Sequence, residues 1–190
     1  LHLGRQTTIR PMNDKLIIYQ ILTRLFTNGN KYCVPNGTIE QNGCGKMNDI
    51  TSHVMESIRS LGSTHVWYTG IIEHATKTDY SRFGIRPDNP YIVKGRAGSP
   101  YAIKDYYDID PDLAVSVPDR MKEFEALVDR THKAGLKVII DFVPNHVARQ
   151  YHSDAAPAGV KDFSADDDTT KFFSPNNNFY YIPQQKFAPS

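Results

Sequence analysis

The stretch from Leu136 to His146 reads Leu-Lys-Val-Ile-Ile-Asp-Phe-Val-Pro-Asn-His. Its first part is nearly continuous apolar, the pattern expected of a parallel strand buried on both faces. Its last part delivers Asp141, Asn145 and His146 to the carboxyl end of that strand. In parallel α/β folds the loops leaving that end diverge and can be lined with chemistry while the strands hold them rigidly. A chain organised around such a strand is directed to the α/β class.

Two earlier segments have the same character. Leu16 to Leu22 is β-branched and aromatic with few polar interruptions, and Thr64 to Thr69 is a second strand candidate. Between them, Thr27 to Gly45 is rich in Asn and Gly, and Pro35-Asn36-Gly37-Thr38 signals a turn in preference to a glycosylation sequon. From Asn48, apolar Ile50, Val54, Ile58 and Leu61 recur at helical spacing, with Gly62 as a left-handed cap. Residues 70–117 carry many tyrosines, prolines and glycines without a sustained period, which predicts a large loop with small elements inside it. Pro118 then opens a helix whose apolar face is Met121, Phe124, Leu127 and Val128, stopped by Ala134-Gly135.

Each strand-to-helix connection is therefore long and polar, and each helix-to-strand connection is one or two residues including a glycine. That asymmetry describes a (β/α) barrel with elaborated loops on one face. A doubly wound sheet shows the same alternation and stays as the rival, although neither a dinucleotide fingerprint nor a phosphate loop follows any strand. Beyond His146 no helical or strand period is evident, and the Asp166-Asp167-Asp168 run lacks the spacing of a calcium hand and reads as solvated. The expected layout is thus a barrel portion over residues 1–147 and an irregular insertion from 148 to 190.

Composition narrows the partners. With 22 basic and 21 acidic residues the net charge is +1, which gives no field for gripping nucleic acid or an anionic membrane. No stretch approaches the roughly 20 apolar residues that span a bilayer. Cys33 and Cys44 share one loop, where a small disulfide and two ordinary thiols are equally expected and zinc is weakly supported. The sequence opens on Leu1, as a processed or trimmed piece would.

The residues at the end of the third strand also resemble a known family. Asp141-Phe142-Val143-Pro144-Asn145-His146 fits the Asp-x-x-x-Asn-His region of the α-amylase family of glycoside hydrolases, family thirteen. Tyr101-Ala102-Ile103-Lys104-Asp105-Tyr106, running on to Asp110-Pro111, resembles that family's stretch after the second strand. The resemblance implies the first three strands and two helices of a (β/α)8 TIM barrel, followed by the start of the insertion called domain B. It implies substrate-binding roles for Tyr101, which would stack on the reacting sugar ring, for His146, which would hydrogen-bond it, and for Asp141, which would orient neighbouring groups, especially an arginine on the next strand. It implies that Asn145 would offer its side-chain carbonyl to a Ca2+ ion. Many members carry His-Gly where Ser99-Pro100 precedes Tyr101, so one sugar-facing histidine is missing here.

The implied partner is an α-glucan oligosaccharide or polysaccharide, acted on by a retaining mechanism, with an exported compartment favoured. The family's nucleophile and general acid lie on later strands, so this chain would supply no catalytic carboxylate, would be inactive alone and would need the remainder of its own catalytic domain. A glucosyltransferase or isomerase of the same family, a non-catalytic α-glucan-binding relative and an unrelated cofactor-binding domain are the alternatives.

Overall fold

The computed structural model describes residues 15–185. The outer ends of the two units expected at 1–147 and 148–190 lie outside those residues. The three expected strands form one parallel sheet in the order β1 (Ile18–Leu22), β2 (His65–Thr69) and β5 (Lys137–Ile140). Ile18, Gln20 and Leu22 register with His65, Trp67 and Thr69, and His65 and Trp67 with Lys137 and Ile139. The intervening residues Tyr19, Ile21, Val66, Tyr68 and Val138 point the other way, because side chains alternate along a strand.

That second face carries the core. Helix α3 (Ser52–Ser60) starts at Thr51, whose side chain accepts the Val54 N–H, and buries Met55 and Ile58 against the sheet. Leu61, expected on this stripe, is 69% exposed; it lies past the last turn, and Met55 takes the buried position. Helix α4 (Arg120–Lys133) buries Leu127 completely. The Tyr68 hydroxyl crosses from sheet to helix to meet Thr131 Oγ1 at 2.6 Å, so this polar atom is satisfied inside the core. Met121, expected on the apolar face, is exposed, and Glu123 is buried instead: its two oxygens accept the Val115 and Ser116 N–H groups and fix the entry loop. Gly62 and Gly135 end their helices in the left-handed conformation.

The strands are not covered on both faces as their apolar runs suggested. Ile18 and Leu22 are 47% and 42% exposed, because no described residues form a layer over the face that carries Gln20 and Trp67. Ile140 is exposed on the opposite face, the one it shares with Tyr68, where β5, like β1, is an edge strand.

The long passage after β2 contains a second sheet that the sequence pattern did not reveal. Strand β3 (Ile72–His74) pairs antiparallel with β4 (Ile103–Ile109). Lys104, Asp105 and Asp108 interrupt β4 and disguise it as loop, yet all three are buried. The chain after β5 then joins the other edge of β4, through Ala148 N–H to the Ile103 carbonyl at 2.7 Å and His152 N–H to the Lys104 carbonyl at 3.1 Å. Residues 148–185 contain turns and bends but no helix or strand. Asp167 and Asp168 are not simply solvated: Asp167 accepts the Asn178 and Phe179 N–H groups and the Tyr181 hydroxyl, and Asp168 accepts Thr170 N–H. In an otherwise irregular segment these carboxylates do the work of a ladder.

Short helices α1 (Thr23–Phe26) and α2 (Ile39–Asn42) flank the Asn-rich loop, and both cysteines are free thiols. Cys33 is exposed, whereas burial pushes the Cys44 thiol up to about 11. A thiol reagent at pH 8 should therefore label Cys33 rapidly and Cys44 only on unfolding, as peptide mapping by mass spectrometry would show. Equal labelling of the two in the native state would contradict this packing.

Candidate functional site

Asp141 is the first residue beyond β5, on the face shared with Ile139 and Trp67. The Trp67 indole N–H donates to Asp141 Oδ1, so the neighbouring strand fixes the carboxylate's direction. Asp141 Oδ2 is buried, and among the described residues no donor reaches it. A buried carboxylate oxygen of this kind calls for a further donor, as the expected arginine of a next strand would be.

Asn145 and His146 stand exposed on the loop that follows, with Asn145 Oδ1 2.8 Å from His146 Nδ1. When that nitrogen carries the proton, Nε2 is left to accept from a hydroxyl. Tyr106 holds the loop from below. Its hydroxyl donates to the Val143 carbonyl and lies 3.4 Å from that of His146, while its ring packs on Phe142, Tyr151 and Phe163 with centroids 5.4, 5.8 and 6.1 Å away. Among the clustered tyrosines, Tyr106 is thus the packing residue and a positioning element that sequence reasoning did not single out. The phenol, half in and half out, is suited to that task.

Tyr101 is 47% exposed and shares no recorded hydrogen bond or ring contact with Asp141 or His146 among the described residues. Its place is set by the preceding backbone. Pro100 lies against Gly70 so closely that a Cβ there would sit 3.0 Å from the Pro100 side chain, and Gly98 lies against the Ala75 carbonyl. A cavity of about 610 Å³ occurs elsewhere, between the Asn-rich loop and residues 77–79 and 96–97; none of Tyr101, Asp141, Asn145 and His146 lines it.

Two buried charge networks support these loops. In the first, Asp110 meets His74 Nε2 at 2.5 Å, and Arg24 pairs with Asp112, which also accepts the Tyr80 hydroxyl at 2.5 Å. Burial opposes charge on both His74 and Asp110, but their contact outweighs it, raising the His74 pKa and lowering that of Asp110. In the second, Lys104 lies 3.6 Å from both Glu73 and Asp88, and Arg120 pairs with Asp108 through two nitrogens. Asp105 accepts four hydrogen bonds, from the backbone of Tyr107, Asp154 and Ala155 and from the Ser153 hydroxyl. Neither network was foreseen, because its members come from separate stretches of the chain, Arg24 among them, and their pairing follows no local pattern.

Asn145 can offer one amide oxygen to a hard cation. Among the described residues, a group of three acidic ligands that could close around one ion is formed by Glu73, Asp105 and Asp108.

Comparison with known proteins identifies the family. Maltase 1 of Drosophila virilis is 28% identical over 151 residues, covering 77% of this chain and 18% of the relative. The cyclomaltodextrin glucanotransferase of Geobacillus stearothermophilus is 27% identical over 142 residues, covering 70% and 18%. The amino acid transporter heavy chain SLC3A1 of Mus musculus is 29% identical over 134 residues, covering 70% and 14%. The chain thus spans less than a fifth of the length of these relatives. The family model described as alpha amylase, catalytic domain, matches residues 20–186, and the chain belongs to that family.

Proposed function

We propose that this chain is part of the catalytic domain of an α-amylase-like glycoside hydrolase that cleaves α-glucosidic bonds of starch or maltooligosaccharides with retention. The observation that carries the reading is the Trp67–Asp141 hydrogen bond, which aims a half-satisfied carboxylate from the carboxyl end of a parallel strand. Asp141 orients a donor from the remainder of the enzyme, His146 binds a sugar hydroxyl, and Tyr101 covers the apolar face of the ring. The two carboxyl groups of a retaining glycosidase, about 5 to 5.5 Å apart, come from elsewhere in the enzyme. Asn145 would hold calcium through its side-chain oxygen, and the bound ion would brace the loop.

In the full-length protein, His146→Ala and Asp141→Asn should each lower kcat/KM on maltooligosaccharides about ten- to a hundredfold, the loss of one charge-assisted or polar contact in the transition state. His146→Ala should leave the melting temperature unchanged, since the side chain is exposed. Release of the α-anomer, followed by polarimetry or NMR, checks retention. Transfer products in place of free sugar would assign the protein to the glucosyltransferases of the family. A wild-type protein that binds maltooligosaccharides without turning them over would move it to the non-catalytic members.

A further inference from the structure

We propose that Glu73, Asp105 and Asp108 form a binding site for a hard divalent cation of calcium's size, set between β3, β4 and the segment after β5. The inference rests on the packing of these residues and not on the glycosidase reading.

One oxygen from each carboxylate lies within 4.8 Å of the others. One ion with oxygen ligands at about 2.3 to 2.6 Å can touch all three, and calcium accepts the irregular set that magnesium, which demands near-ideal octahedral geometry, does not. The three residues are 1%, 0% and 4% exposed, so water does not offset their charge. The surrounding cations do not offset it either. Glu73, Asp88, Asp105 and Asp108 are four buried carboxylates whose ion-pair partners are Lys104 and Arg120. Two negative charges are left over among them, the charge of one divalent ion.

Glu73 shows where the deficit falls. Its Oε1 is 3.6 Å from Lys104, but Oε2 is buried and receives no hydrogen bond. The other two carboxylates are held in place from outside, Asp105 by its four donors and Asp108 by the Arg120 fork. Ligating carboxylates are characteristically hydrogen-bonded by an outer shell of this type. Glu73 Oε2 at the same time is left without a donor, and an all-oxygen set selects a hard cation. Without an ion the alternative is a proton: burial, the largest cause, pushes the Glu73 carboxyl up to about 8. A cation would replace that proton and tie β3 to β4 and, through Asp105, to residues 153–155.

The test uses the full-length protein stripped with a chelator, titrated with CaCl2 and, separately, MgCl2 at pH 7.5. Calorimetry or native mass spectrometry counts bound ions, and thermal unfolding follows stability. Wild type should bind one more calcium per chain than Glu73→Gln, and calcium should raise its melting temperature more than magnesium at equal concentration. Gln is isosteric with the protonated carboxyl, so the variant keeps the packing while losing a ligand charge. Equal calcium stoichiometry in the two proteins, or no calcium bound by wild type at millimolar concentration, would overturn the site and leave Glu73 capped by a proton. Should Glu73→Gln fail to fold, Asn145→Ala decides: calcium still bound by that variant is held at the acidic group, and its complete loss there would overturn the site.

Discussion

Replacing Arg24 with alanine should lower stability by about 3 to 5 kcal/mol, the cost of breaking a buried ion pair and stranding its partner. Arg24 follows β1 and reaches across to Asp112, with Asp110 at 4.0 Å. Burial works against the guanidinium charge, but these two carboxylates outweigh it and raise its pKa. Without it, the Asp112 carboxylate keeps the Tyr80 hydroxyl but loses its ion pair, and the Lys46 ammonium reaches only the Asp112 backbone carbonyl. Arg24→Lys should recover only part of the loss, since an ammonium cannot fork towards two carboxylates. The Asp110 carboxyl lies below its ordinary range, so its contribution is present at neutral pH and disappears as pH falls through its folded-state value. The Arg24→Ala penalty should therefore shrink in acid. Urea unfolding of the full-length protein at neutral and acidic pH measures both effects. A variant within about 0.5 kcal/mol of wild type, the range of ordinary surface substitutions, would mean that solvent already screens the network.

Gly98→Ala should be nearly as damaging, about 3 kcal/mol or more, from overpacking combined with a left-handed backbone. The φ of Gly98 is +78°, and a Cβ built there would stand 1.8 Å from the Ala75 carbonyl oxygen and 3.2 Å from His74 Nδ1. Backbone must move, and the same carbonyl lies 3.1 Å from the His74 ring. Tyr101 is three residues further on, so under its proposed stacking role KM for maltooligosaccharides should rise along with the loss of stability. Gly95→Ala is the control. Its φ is +66° with nothing within 4 Å, and it should cost only the left-handed penalty of about 1 to 2 kcal/mol. Thermal unfolding of the two variants side by side separates close packing from backbone conformation, and equal melting temperatures would refute the Gly98–Ala75 contact.

What could be read from the sequence follows from what repeats. Apolar runs gave the three parallel strands, and helical spacing gave the elements at Ser52–Ser60 and Arg120–Lys133, because burial on one side imposes a period. Glycine caps at Gly62 and Gly135 were legible for a similar reason: the left-handed turn admits few other residues. The motif ending in His146 and the stretch from Tyr101 to Pro111, taken together, were enough to find the family. Strand β4 escaped because its buried charges are matched by partners far away in the chain, Arg120 for Asp108 and Ser153 for Asp105, and a local pattern cannot register such matches. Tyr106 escaped among its neighbours because a ring under a loop and a ring beside a ligand look alike in sequence. Single-sided burial of the strands was missed as well, since an apolar run shows that a face is greasy and not what lies against it.

The parallel sheet also bears on how the chain is made. Ile17 bonds Thr64 across 47 residues and Trp67 reaches Asp141 across 74, so every rung waits for a long stretch to be synthesised and closed. Helix α3 and its caps can form as they leave the ribosome, but β2 acquires its second neighbour only when residue 140 has emerged. Until then Trp67 and the greasy edge of β2 are open to strangers, and the interval during translation before β5 arrives is when this chain is most exposed to aggregation.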